Sequence, residues 1–208
     1  MRLPQFFIAL MLALSVSIVR ADIVADFPFR PDTGGGIAGF TQGPFQPAQT
    51  FYSLGSGQLQ SVSIALAQNG PQLPNHIFVD FRLTQAGIPS SILGTATIDG
   101  GLVAGVQPGA PVMLAADFTS LNIQITAGET YAFSLRTDGN AAFASGSGAY
   151  IAYPYPGGSL FSSHDFGTTW SAEPLYDLNF QVTAVPEPSA LALLLAGISL
   201  LRFIRVPK

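Results

Sequence analysis

The chain has 208 residues, 48% of them hydrophobic and 10% charged, with 22 glycines, 16 prolines and no cysteine. Without cysteine no disulfide can support the fold, and the length suits one domain with a sizeable core. The formal net charge of −4 conceals an asymmetry, because five of the eight basic residues (Arg2, Arg20, Arg202, Arg205 and Lys208) lie at the two ends, leaving Arg30, Arg82 and Arg136 against all twelve acids between Asp22 and Glu187. An interior so acidic repels phosphate backbones, so nucleic acid is not an expected partner.

Arg2 opens a short positive region, Phe6 to Val19 is strongly apolar, and Val19-Arg20-Ala21 offers short side chains at the two positions a signal peptidase reads. Residues 1–21 are therefore expected to form a signal helix cut after Ala21, with Ala25 as the second choice and a retained N-terminal anchor helix as the alternative. The signal peptidase is thus the first expected partner. Either way the body is exported, and a chain without cysteine carries neither a lipid-attached start nor a disulfide.

From residue 22 to residue 184 the hydrophobic period is two. Val62, Ile64 and Leu66 alternate with polar or small residues, Ile77, Val79, Phe81 and Leu83 alternate with Phe78, Asp80, Arg82 and Thr84, and Leu121, Ile123 and Ile125 follow the same rule. Tyr131, Phe133 and Leu135, then Leu178, Phe180, Val182 and Ala184, repeat it. One side of each segment is expected to face a core and the other water. Gly34-Gly35-Gly36, Asn69-Gly70-Pro71, Asp99-Gly100-Gly101, Ala127-Gly128-Glu129, Asp138-Gly139-Asn140 and Pro156-Gly157-Gly158 supply turns between them. The expected fold is all-β: a two-sheet antiparallel sandwich, of jelly-roll or immunoglobulin-like type with jelly roll ranked first, flanked by the signal helix and a C-terminal membrane helix.

The residues able to do chemistry are few. His76 and His164 have no metal-ligand spacing, and Ser162-Ser163-His164-Asp165 places hydroxyls, an imidazole and a carboxylate on one loop without the separation that a relay usually shows. Ser147 lies between Gly146 and Gly148 but has Ser145 and Ala149 where a nucleophile elbow wants glycine, and Asp165, Glu173 and Asp177 are the acids closest to a glycosidase-like pair. Turn acids such as Asp99 and Asp138 form no legible calcium loop. No catalytic residue, cofactor or metal is expected. Tyr150, Tyr153, Tyr155, Phe161, Phe166 and Trp170 crowd one segment, where most rings should fill the core. Tyr153, Tyr155 and Trp170 are the expected glycan contacts if the body binds sugar, since aromatic rings stack on pyranoses.

The chain closes with Val185-Pro186-Glu187-Pro188-Ser189, an apolar run from Ala190 to Leu201, and the basic stop Arg202, Arg205 and Lys208. The prolines end the strand pattern, Ser189 can cap a helix, and cations suit its C-terminus and a cytoplasmic membrane face. The run from Ser189 to Leu201 reaches only about 20 Å as a helix against a bilayer core of about 30 Å, which makes it a marginal span. In this order, residues 185–208 resemble the tail of the PEP-CTERM family of bacterial exported proteins. The resemblance implies anchoring in the cytoplasmic membrane, cleavage near the motif by an exosortase, and release toward the cell envelope or an exopolysaccharide matrix. A further likeness lies in Thr41 to Leu66, in Ile125 to Phe133, and from Gly158-Ser159-Leu160-Phe161 to Thr169-Trp170: these stretches resemble the choice-of-anchor exported domains and imply a carbohydrate-binding-like sandwich. The expected function is that of a non-enzymatic exported matrix or envelope protein, with a surface carbohydrate-binding module and, more remotely, a secreted hydrolase as alternatives.

Overall fold

A computed structural model of the chain describes residues 20–27, 37–40, 43–69, 73–107, 110–138, 142–146, 155–173 and 177–187. The alternating segments form strands, which in chain order are β1 (Asp22–Phe27), β2 (Ile37–Phe40), β3 (Gln46–Tyr52), β4 (Gly57–Asn69), β5 (His76–Gln85), β6 (Ile88–Asp99) and β7 (Val112–Asp117), then β8 (Gln124–Ile125), β9 (Thr130–Thr137), β10 (Ala142–Gly146), β11 (Leu160–Ser163), β12 (Ser171–Glu173) and β13 (Phe180–Val185). They build two antiparallel sheets packed as a sandwich. Among the described residues there is no α-helix, and none of the helices there is long and apolar enough to cross a membrane. The expected signal and tail helices fall on residues 1–19 and 188–208, outside the described ones.

The first sheet is organised by β4, whose 13 residues serve four partners. One edge binds β13 along residues 58–64 and β10 along residues 66–69; the other binds β8 at residues 57–58 and β7 along residues 61–66. Outside these, β1 pairs with β13 and β2 with β10. The second sheet runs β12-β11-β3-β9-β5-β6. Phe180 of the first sheet lies 6.0 Å from Phe51 and 5.3 Å from Phe133 of the second, ring centroid to ring centroid, so large aromatic side chains fill the interlayer space. Phe51, Phe81, Phe133 and Phe180 have no exposed surface, and each contributes about 2 to 3 kcal/mol of burial before entropy is subtracted.

Three expectations need correction. Leu83, read as a core residue, is 42% exposed, because the β5–β6 register shifts between Phe81 and Thr84 and the bulge turns the end of the strand. Asp80 and Arg82, read as water-facing, are 1% and 5% exposed, because other parts of the chain cover the outer face of the second sheet. The strand expected at Leu121–Ile125 is reduced to β8, since a 3-10 turn over Thr119–Leu121 and Asn122 at φ +51° stand in front of it.

β5 and β6 are joined by the two-residue turn Ala86-Gly87, at φ +53° and +78°, the left-handed pair that a right-twisted hairpin requires. Alanine at that position is strained. Ala86→Gly should raise the unfolding free energy by about 1 kcal/mol in urea denaturation with the slope unchanged; a lower stability would show that the turn is not under strain.

Candidate functional site

The period of two in β5 sends Ile77, Val79 and Phe81 inward and His76, Phe78, Asp80 and Arg82 outward. Antiparallel register then sets Asp80 between Ser134 and Thr95, and Phe78 between Arg136 and Thr97. Asp80 Oδ2 accepts a 2.9 Å hydrogen bond from Arg136 Nε, while Oδ1 accepts from Thr95 Oγ1 at 2.6 Å and from Arg136 Nη2 at 3.3 Å. Arg82 Nε donates to Ser134 Oγ at 2.8 Å and Nη1 to the Ser90 carbonyl at 2.9 Å, with Nη2 3.9 Å from Asp80 Oδ2. Arg136 lies 4.2 Å above the Phe78 ring and Arg82 5.3 Å from the Trp170 ring. Burial pulls the Arg82 pKa below its ordinary value, and the nearby Asp80 charge opposes that shift. Two of the three arginines between Asp22 and Glu187 thus share one carboxylate, and Arg82 is buried away from solvent anions.

The β11–β12 hairpin folds its loop over this row. Asp165 organises the loop: Oδ1 accepts from Ser163 Oγ at 2.8 Å, from Thr169 N at 2.8 Å and from Thr168 N at 3.1 Å, and Oδ2 accepts from Thr169 Oγ1 at 2.7 Å. These donors, the Thr169 amide foremost, hold its pKa down at about 2. Phe166 and Gly167, at φ +60° and +80°, form the turn above it, closed by the Thr168 amide donating to the Asp165 carbonyl. The Phe166 amide is anchored on the Pro44 carbonyl at 3.0 Å, and the residue is left 68% exposed. Gly167 lies flat on the polar row, where a Cβ would come within 2.9 Å of Gln46 Oε1, 3.0 Å of Arg82 Nη2 and 3.3 Å of Trp170. Gln46 is 4% exposed, and its Oε1 accepts no hydrogen bond.

The residues singled out in the sequence have separate surroundings. Trp170 is half-buried beside Arg82. Tyr155, expected on a free loop, is half-buried with its ring edge-on to Phe180 at 5.2 Å and tilted to Phe27 at 5.6 Å, and burial lifts its phenol to about 12. Asp177, raised by burial, accepts from Gln49 Nε2 at 2.8 Å and from Tyr155 N at 2.9 Å, whereas Glu173 accepts from Ser162 Oγ at 2.6 Å. His164 is exposed with its ring 5.1 Å from Phe45, and no hydrogen bond joins it to Ser162, Ser163 or Asp165, so the hydrolytic relay is not assembled. His76 Nδ1 lies 2.6 Å from Asp138 Oδ2, a contact that lowers the Asp138 pKa, and Asp99 accepts from Gly101 N at 2.8 Å. No group of three His, Cys, Asp or Glu able to hold a metal ion occurs among the described residues. Ala21 is exposed immediately before β1, and Val185 ends β13, followed by exposed Pro186 and Glu187. Ser147, Tyr150, Tyr153, Pro188, Ser189, Arg202, Arg205 and Lys208 lie outside the described residues. Gln46, Arg82 and Phe166 were not legible as a group; the only hint was a pair of opposite charges in the middle of a central strand pattern.

Two measurements probe the loop. Gln46→Met keeps the volume and removes the unpaired acceptor, so thermal or urea unfolding should show about 1 kcal/mol of added stability. For Asp165, a folded pKa held below the unfolded value means that its contribution is complete above pH 4 and disappears as pH falls through about 2. The Thr169 amide resonance should accordingly titrate with a midpoint near about 2, and a midpoint near 4 would show an unengaged carboxylate. Compared with known proteins, the chain matches no family model and no curated protein.

Proposed function

We propose that this chain is a non-enzymatic exported protein, translocated by its leader, held in the cytoplasmic membrane by residues 188–208, and cut near Pro186-Glu187-Pro188 by an exosortase for release to the envelope or an exopolysaccharide matrix. The observation that supports the reading is the extent of the strands: β1 starts at Asp22, directly after Ala21, and β13 ends at Val185, directly before the prolines. Pro186 and Glu187 are exposed, as a peptidase substrate requires. Upstream of them the backbone is engaged, since Val185 pairs with Gln58 and a Cβ on Gly57 would run into the Val185 carbonyl. Pro186 and Glu187 are therefore the first residues after β13 that a peptidase could reach.

The jelly-roll form of the sandwich is part of the proposal. Its support is the strand order, in which β1-β13-β4-β7 and β3-β9-β5-β6 each interleave early and late strands, as two Greek keys wound into facing sheets do. The route is tested by the intact mass of the extracellular protein. It should begin at Asp22 and end within residues 185–189; a secreted species that retains Lys208 overturns the reading.

A further inference from the structure

Two independent departures from good packing meet in the loop between β11 and β12. Phe166 is an aromatic residue held at φ +60°, a conformation that bulky side chains adopt at a cost, and 68% of it is exposed. One residue further on, Gly167 covers Gln46, whose buried Oε1 has no hydrogen-bond donor. Neither feature stabilises the sandwich, and such local violations concentrate where a surface is used. The loop is also stiff before any partner arrives, because Asp165 accepts four hydrogen bonds from Ser163, Thr168 and Thr169 and the Phe166 amide is tied to Pro44. A pre-ordered ring loses little entropy on binding.

We infer that this loop is a contact site for a neutral polysaccharide, in which the Phe166 ring stacks on the apolar face of a pyranose unit and the exposed Thr168 and Thr169 hydroxyls at its rim accept from sugar hydroxyls. The inference rests on the extracellular reading above for where such a polymer is met. A single ring bordered by hydroxyls and amides matches one sugar unit, which is apolar on its face and polar at its edge. It is too small for a protein interface, which covers about 800 Å² per partner. A lipid surface would call for cations around the ring, and the arginine under the loop, Arg82, is buried and donates to Ser134 Oγ and the Ser90 carbonyl. The same shortage of free cations, in a body with three arginines and twelve acids, disfavours uronic-acid chains and selects neutral ones.

The test is affinity electrophoresis of the full-length chain in mild detergent through native gels containing hydroxyethyl cellulose, laminarin, galactomannan or alginate. Phe166→Gly is the informative variant, because glycine is at home at this φ and the loop keeps its shape. The intact chain should be retarded in at least one neutral gel, Phe166→Gly should weaken that retardation about tenfold, and Phe166→Trp should restore it. Free mobility of the intact chain in all three neutral gels, retardation by alginate alone, or full retardation of Phe166→Gly overturns the inference. Failure of the release experiment leaves this result untouched, since an uncut chain still runs in the gel, and a correctly cut chain that is not retarded leaves the export reading standing.

Discussion

Phe51 is the contact that makes two sheets into one body. It belongs to the second sheet, has no exposed surface, and lies 6.0 to 6.5 Å from Phe81, Tyr131, Phe133 and, across the interlayer, Phe180. Without cysteine no covalent tie fixes the layer spacing, so burial and dispersion between facing rings set it. Because these rings satisfy the inner face, the outer face of the second sheet is free to hold polar side chains.

That freedom is used for a charged row that also specifies register. Asp80 accepts hydrogen bonds on both oxygens and sits between two guanidinium groups, so its charge is matched even though the residue is only 1% exposed. A slip of β5 by one residue would drive Asp80 and Arg82 into the aromatic core, where neither could be paired. Of the two cations that enforce the alignment, Arg82 is withdrawn from the surface and Arg136 stays partly exposed. What the body offers to its surroundings is acidic, and the loop over the row presents an aromatic ring in place of a charge.

The parts of this architecture that depend on one strand at a time were legible in the sequence. Ile77, Val79 and Phe81, and likewise Phe180, Val182 and Ala184, alternate because only one of their faces meets the core. β6 gave no such signal: Pro89 and Gly94 interrupt it, and Ile88, Ile92 and Leu93 are exposed, which is tolerable because β6 is the last strand of its sheet. The burial of Asp80 and Arg82 was hidden for a different reason. Arg82 is covered by a loop more than eighty residues away in sequence and Asp80 by side chains of the neighbouring strands, and no local pattern in β5 announces covers supplied from such distances. Tyr155 shows the converse: flanking prolines predict an edge position, yet the ring still turns inward onto Phe180.

The position of β13 bears on how the protein comes into being. This last strand is not at an edge; it is hydrogen-bonded on one side to β1, the first strand, and on the other to β4. Until Val185 has emerged during synthesis, both of those neighbours present open backbone and the sandwich lacks Phe180 from its centre. Joining the first described strand to the rest of its sheet therefore awaits a strand made near the other end of the described residues, so the sandwich closes late.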